Sequence, residues 1–185
     1  MTEINLKLAR VSYPHLFEPF AYQGTGKAKY SGKFLVPKDD PQVKPLIAAM
    51  KELAAETFKD KKLPPSDKLC LRDGDQTNKD EDAGHWILSA SDDRRPVVVN
   101  RDRSPLTAED DVIYPGCYVN VKVRLWAQDN QYGKRINANL LGVQFVKDGE
   151  RFGNGRKQET ADEMFGDATD FDADVDGDGD NGFGL

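Results

Sequence analysis

Nine consecutive residues, Tyr118-Val-Asn-Val-Lys-Val-Arg-Leu-Trp126, alternate without a break between an aliphatic side chain and a polar or aromatic one. Successive side chains of a β-strand point to opposite faces, so this is the pattern of a strand with one covered side. Val119, Val121, Val123 and Leu125 must meet a core. Tyr118, Asn120, Lys122, Arg124 and Trp126 must point away from it. A second stretch, Arg135 to about Val146, sets Ile136, Ala138 and Leu140 against Arg135, Asn137 and Asn139 in the same way. Asparagines inside a strand run against β-propensity, so hydrogen bonding is the reason to expect them there. The hairpin predicted between the two strands covers Ala127 to Lys134.

The rest of the chain reads as a small β protein. Ile4, Leu6 and Leu8 alternate with Asn5 and Lys7, while Pro14 and Pro19 interrupt the period that follows. A strand is expected from Lys29 to Val36, ending at Pro37. Asp39-Asp-Pro41 then opens a helix, with Pro45 near its start and a stripe of Val43, Leu46, Ile47, Met50, Leu53 and Phe58 for the core. Lys61 to Asp82 is charged, broken by Pro64-Pro65 and Asp73-Gly74, and reads as a long irregular excursion. His85–Ser89 and Pro96–Asn100 are two further strands around the turn at Asp92–Arg95. Five or six strands with one amphipathic helix and insertions predict a mainly β fold, an OB-fold-like barrel rather than a parallel α/β sheet.

Charge divides the chain. All 26 basic residues fall in 1–157 beside 22 acidic ones, leaving that stretch at +4, while residues 158–185 carry ten carboxylates and no cation. The expected organisation is a domain over 1–157 and a disordered, solvated acidic tail over 158–185. The net charge of −6 therefore hides a mildly basic body. Such a body with its own polyanion suits a protein that binds another polyanion, above all single-stranded DNA. Cys70 and Cys117 have no metal-ligand spacing and read as reduced thiols. Neither a membrane-length apolar run nor a signal-peptide pattern is present, so a soluble intracellular protein is expected.

Three clusters interleave rings with cations, the combination that stacks unpaired bases and follows phosphates. The first is the outer row Tyr118, Asn120, Lys122, Arg124 and Trp126, with Tyr132, Lys134, Arg135, Asn137 and Asn139 from the hairpin and second strand. The second is Tyr22, Lys27, Lys29, Tyr30 and Lys33 beside a glycine-rich turn. The third is Arg94, Arg95, Arg101 and Arg103. Each alone is also what a solvated surface looks like. No nucleotide-binding glycine loop, nucleophile elbow or histidine-based site is found, and neither a cofactor, a resident metal nor a small-molecule substrate is expected. Asp172, Asp174, Asp176 and Gly177 imitate half a calcium loop, but Phe183 stands where its glutamate belongs. Two rival readings stay open. One is a metal-dependent nuclease built on Asp92, Asp93, Asp110 or Asp111. The other is a protein-interaction module whose tail mimics DNA.

Tyr13-Pro-His-Leu-Phe-Glu-Pro19, Tyr30-Ser-Gly-Lys-Phe-Leu-Val-Pro37, Tyr114-Pro-Gly-Cys-Tyr-Val-Asn120 and Asn137-Ala-Asn-Leu-Leu-Gly-Val-Gln-Phe145 resemble a tailed-phage family of single-stranded DNA-binding proteins. The resemblance runs from about residue 4 to 153. It implies an OB-fold with insertions and a non-enzymatic role in phage DNA replication or recombination in the bacterial host cytoplasm. The acidic end is similar to tails that compete with DNA and recruit replication or recombination proteins. Here that role would fall to Phe171, Asp172, Asp174, Asp176, Asp178, Asp180 and Phe183. The penultimate proline of bacterial homologues is absent.

Overall fold

The computed structural model describes residues 2–22 and 26–153, and its first compact unit ends at Phe152. The tail expected at 158–185, with its named Phe and Asp positions, lies outside the described residues. Seven strands form one sheet: β1 (Thr2–Phe20), β2 (Lys29–Pro37), β3 (Leu71–Asp73), β4 (His85–Asp92), β5 (Val97–Val99), β6 (Tyr118–Asn130) and β7 (Gly133–Lys147). Among the described residues one α-helix, α1 (Val43–Thr57), joins them. Their order across the sheet is β3-β4-β2-β1-β6-β7-β5. The strand not expected is β3, three residues with Asp73 beside a glycine and too short to show a period, whereas β5 is the strand expected at Pro96–Asn100.

β1 is the longest strand and pairs on both sides. Its first half lies antiparallel to β6, from Thr2 against Leu125 to Arg10 against Tyr118. Its second half continues along β2. The two prolines do not end it, because each falls in an interval where the β2 ladder shifts register, between Ser12 and His15 and between His15 and Phe20. A proline needs no ladder partner there.

The excursion at 61–82 turns out to close the barrel. Cys70 donates its backbone N–H to the Ile136 carbonyl of β7 and accepts from Ser89 N–H of β4 through its own carbonyl. Residues 69–70 thus bridge β4 and β7, and β3 continues from them along β4. The resulting cycle β1-β2-β4-β7-β6 is the neighbour order of an OB-fold barrel.

The aliphatic faces point inward as the alternation requires, except at Leu8 of β1, which the register shift between Leu6 and Ala9 leaves 46% exposed. Val119, Val121, Val123 and Leu125 of β6 are fully buried, with Leu6, Ala9 and Val11 of β1 and Phe34 and Val36 of β2. On β7, Ile136, Ala138 and Leu140 face the core, and then Val143 and Phe145 do. The change of phase comes from a bulge: Lys122 opposes Gly142 and Val123 opposes Leu140, so Leu141 is the extra residue. Beside it Gly142 admits β5, which runs parallel to β7; a Cβ there would meet the Val97 carbonyl at 3.3 Å. α1 buries Val43, Leu46, Met50, Leu53 and Ala54. Pro45 sits in its first turn, where the N–H donor it lacks would have had no intrahelical acceptor. Gln42 pins the helix start to β1 by bonding both the N–H and the carbonyl of Lys7.

Candidate nucleic-acid interface

A groove of about 940 Å³ opens on the outer face of β2 and β4 and extends to the end of β6 and the start of β7. β2 contributes Lys29, Ser31 and Lys33, and β4 contributes Ser89 and Ser91. From β6 come Trp126 and Gln128; from β7 come Arg135, Asn137 and Asn139. Tyr22 and Lys27 reach it from the β1–β2 connection. In OB-folds the faces of the second and third strands, flanked by the first and fourth connecting loops, are where oligonucleotides lie.

Side chains in the groove are held by one another. Trp126 donates its indole N–H to Asn139 Oδ1 at 2.7 Å, which fixes the ring against β7. Asn137 Nδ2 approaches Gln128 Oε1 at 3.5 Å. Lys27 pairs with Asp93 at 3.0 Å, and its hydrogen bond holds that carboxyl below the usual carboxylate range. Arg135 makes no side-chain hydrogen bond or ion pair among the described residues, leaving its guanidinium available to an incoming anion.

The structure distributes the expected residues unequally. Of the second cluster, Tyr22, Lys27, Lys29 and Lys33 line the groove and Tyr30 does not. The row along β6 is not one surface. Trp126 faces the groove, while Asn120, Lys122 and Arg124 line a separate concavity of about 630 Å³ with Glu3, Asn5 and Gln144. There Lys122 and Arg124 each bind Glu3 at 2.8 Å and drive its carboxyl down to a pKa of about 2. Asn120 accepts from the Leu8 N–H and donates to Gln144. Tyr118 lies beyond both, with Arg10 and Lys147 over its ring. Eight residues at about 3.3 Å each carry the row roughly 26 Å along a twisting strand, too far to stay on one face of a small barrel.

Other expected residues also serve the fold in place of the groove. Lys134 pairs with Asp60 at 3.1 Å and covers Phe58, fastening the hairpin to the end of α1. Tyr132 is 75% exposed at the hairpin tip and does not line the groove. The third cluster lies off the groove: Arg95 covers Phe17, Arg101 donates to the Val146 carbonyl, and Arg103 sits in a turn with φ +70°, while Arg94 likewise does not line it.

The rival carboxylates are engaged locally. Asp110 accepts from Thr107 N–H and Oγ1 in a capping box, and Asp92 accepts from the Arg94 N–H. No three His, Cys, Asp or Glu residues come together to hold a metal among the described residues. Burial raises the thiols of Cys70, to about 11, and Cys117, which disfavours the reactive thiolate.

Several groove residues escaped the sequence reading. Tyr13, His15 and Phe20 line it from β1, and Lys68, Arg72 and Lys79 from the excursion. His15 and Phe20 stack at 4.3 Å with 7° between planes, and burial lowers the His15 pKa. The available signal was the density of rings at Tyr13, His15, Phe17, Phe20 and Tyr22, hidden because the prolines among them suggested a strand break.

Comparison with known proteins settles the lineage. A family described as the Enterobacter phage Enc34 ssDNA-binding protein matches residues 2–176. The chain belongs to the Enc34 single-stranded DNA-binding protein family. "Putative protein p50" of Acyrthosiphon pisum secondary endosymbiont phage 1 is 40% identical over 162 residues, 83% of this chain and 88% of the relative. The solved Enc34 protein in complex with ssDNA is 40% identical and superposes with a TM-score of 0.72, covering 82% of this chain and 89% of that one. The crystal structure of gp2.5, a single-stranded DNA-binding protein encoded by bacteriophage T7, shares the fold at 16% identity, a TM-score of 0.59, and coverage of 86% and 99%. Among the described residues of this Enc34-family chain, no helix is long and apolar enough to cross a membrane.

Proposed function

We propose that this chain binds single-stranded DNA without catalysis and largely independently of sequence, in phage replication or recombination within the bacterial host cytoplasm. One observation carries the reading: the OB-fold face gathers Tyr22 and Trp126 with Lys27, Lys29, Lys33 and Arg135 in one groove. Rings take unpaired bases at about 1–3 kcal/mol per stack, and cations follow the phosphates. Duplex bases hide their π-faces, so single strands are preferred. Asn137, Asn139 and Gln128 offer donors and acceptors to base edges or sugars. Lys122, Arg124 and Asn120 belong to a separate concavity, so the groove reading does not depend on them.

Titrating the intrinsic tryptophan emission with unlabelled oligo-dT at two salt concentrations tests this reading. Saturable quenching that weakens with salt is expected. Arg135→Ala should flatten the log–log salt dependence by about 0.7, one phosphate contact. An emission unchanged at low salt would remove the stacking mechanism.

The acidic stretch 158–185 supplies the regulation in this proposal. Tethering alone gives it a local concentration on the order of millimolar against the basic groove. Competition there would favour single strands over non-specific partners, and Phe171 and Phe183 among the carboxylates would engage replication or recombination proteins.

A further inference from the structure

We propose that the base-stacking track of the groove runs along the distal half of β1, over Tyr13 and the stacked His15–Phe20 pair, and that Lys79 of the excursion closes over it. The inference rests on the groove being a single-strand site and names the residues that would touch the bases. Beyond Arg10, β1 no longer pairs with β6 and follows β2 alone, through two register shifts. At the first shift Tyr13 adopts φ +49°. Side chains other than Gly, Asn and Asp avoid this left-handed region, and a tyrosine gains no local side-chain hydrogen bond by entering it. What the distortion achieves is direction: bulges re-aim side chains, and strain of this kind gathers at ligand-binding positions. Tyr13 is 48% exposed and Phe20 is 49% exposed, both on the groove.

Two cations from different elements attend the Tyr13 ring. Lys33 of β2 lies 5.4 Å from its centroid and Lys79 lies 4.1 Å away. Lys79 Nζ also donates to the Tyr13 hydroxyl. The loop that presents Lys79 is fixed by its own hydrogen bonds. Gly84 N–H donates to Asp75 at 2.7 Å, and Thr77 donates to the buried Asp82 at 2.8 Å. A half-exposed ring attended by two lysines from different elements offers a single strand what its repeat needs, a stacking surface for a base and cations for the phosphates that flank it. On binding, a base takes the ring face and the two lysines turn to the flanking phosphates.

Anisotropy of a labelled oligo-dT over a salt series, with the full chain, tests the track. Tyr13→Asn removes the ring while tolerating the left-handed backbone; it and Phe20→Ala should each weaken binding roughly 5- to 150-fold, the loss of one stack. Tyr13→Phe should stay within about twofold of the parent chain. Lys79→Ala should lower the salt slope by about 0.7. Thermal melting without DNA identifies any variant that has lost its fold, and Tyr13→Phe against Tyr13→Asn then isolates the ring. If Tyr13→Asn, Phe20→Ala and Lys79→Ala bind as the parent does while Arg135→Ala loses its phosphate contact, the track lies elsewhere and this inference falls alone. A parent chain that fails to bind oligo-dT overturns the groove reading as well.

Discussion

Glu3 receives two cations that the alternating pattern of β6 presents as if for a ligand. Its depressed pKa, caused first by the hydrogen bond from Lys122 and then by that from Arg124, links the triad to folding. The unfolded carboxyl titrates near its ordinary 4.5 and the folded one near 2. The stabilisation is therefore present above pH 4.5 and disappears as pH falls through about 2. Glu3→Gln should flatten the pH dependence of the urea midpoint across that window and leave binding of oligo-dT at neutral pH unchanged, since the triad lies outside the groove. A groove residue behaves in the opposite sense. Trp126→Ala should cost about 1–3 kcal/mol of oligo-dT binding, read by fluorescence anisotropy. The alternation of β6 told which side chains leave the core, but not which meet a partner. Glu3 lies 121 positions from Arg124, and nothing in a local pattern reports a contact across that separation.

Among the elements, bulges decide what the strands present. Leu141 is the extra residue of the β7 bulge, so deleting it would leave Leu140, Gly142 and Val143 in strict alternation and keep Val143 and Phe145 on the core face. Truncating what the bulge places there is what costs stability: Phe145→Ala should lose about 3–5 kcal/mol. That is a large share of a typical domain stability of about 5–15 kcal/mol, and urea denaturation would measure it. Long strands with a clean period, β6 and β7, were legible in the sequence, as were β2 and α1. β1 was legible only in its first half, because prolines normally end strands and here they occupy the interrupted ladder. The barrel-closing stretch at Leu69–Cys70 has no period at all. Its two backbone bonds to Ile136 and Ser89 depend on where distant strands lie.

For the whole molecule, charge separation is the governing fact. A body of +4 tethered to ten carboxylates predicts that truncating after residue 157 tightens oligo-dT binding at low salt, and reduces the preference for single over double strands. The gain should shrink as salt screens both contacts, so the truncated and full chains converge in high salt. Equal affinity at low salt would remove the competition. The same truncation should leave the thermal midpoint of the barrel unaltered, since the compact unit ends at Phe152.

β1 is the central stave, paired to β2 nearby in sequence and to β6 more than a hundred residues away. Synthesis runs from the N-terminus, so Thr2–Arg10 emerges early and must wait for Tyr118–Leu125 before that edge is covered. Closing so long a loop is entropically costly, and folds dominated by such distant pairings assemble on the millisecond-to-second scale. A ribosome-bound chain stopped before residue 118 would leave that edge of its first strand uncovered. Binding competence should therefore appear late in translation and all at once, when β6 and β7 arrive and supply both the missing staves and Trp126 and Arg135.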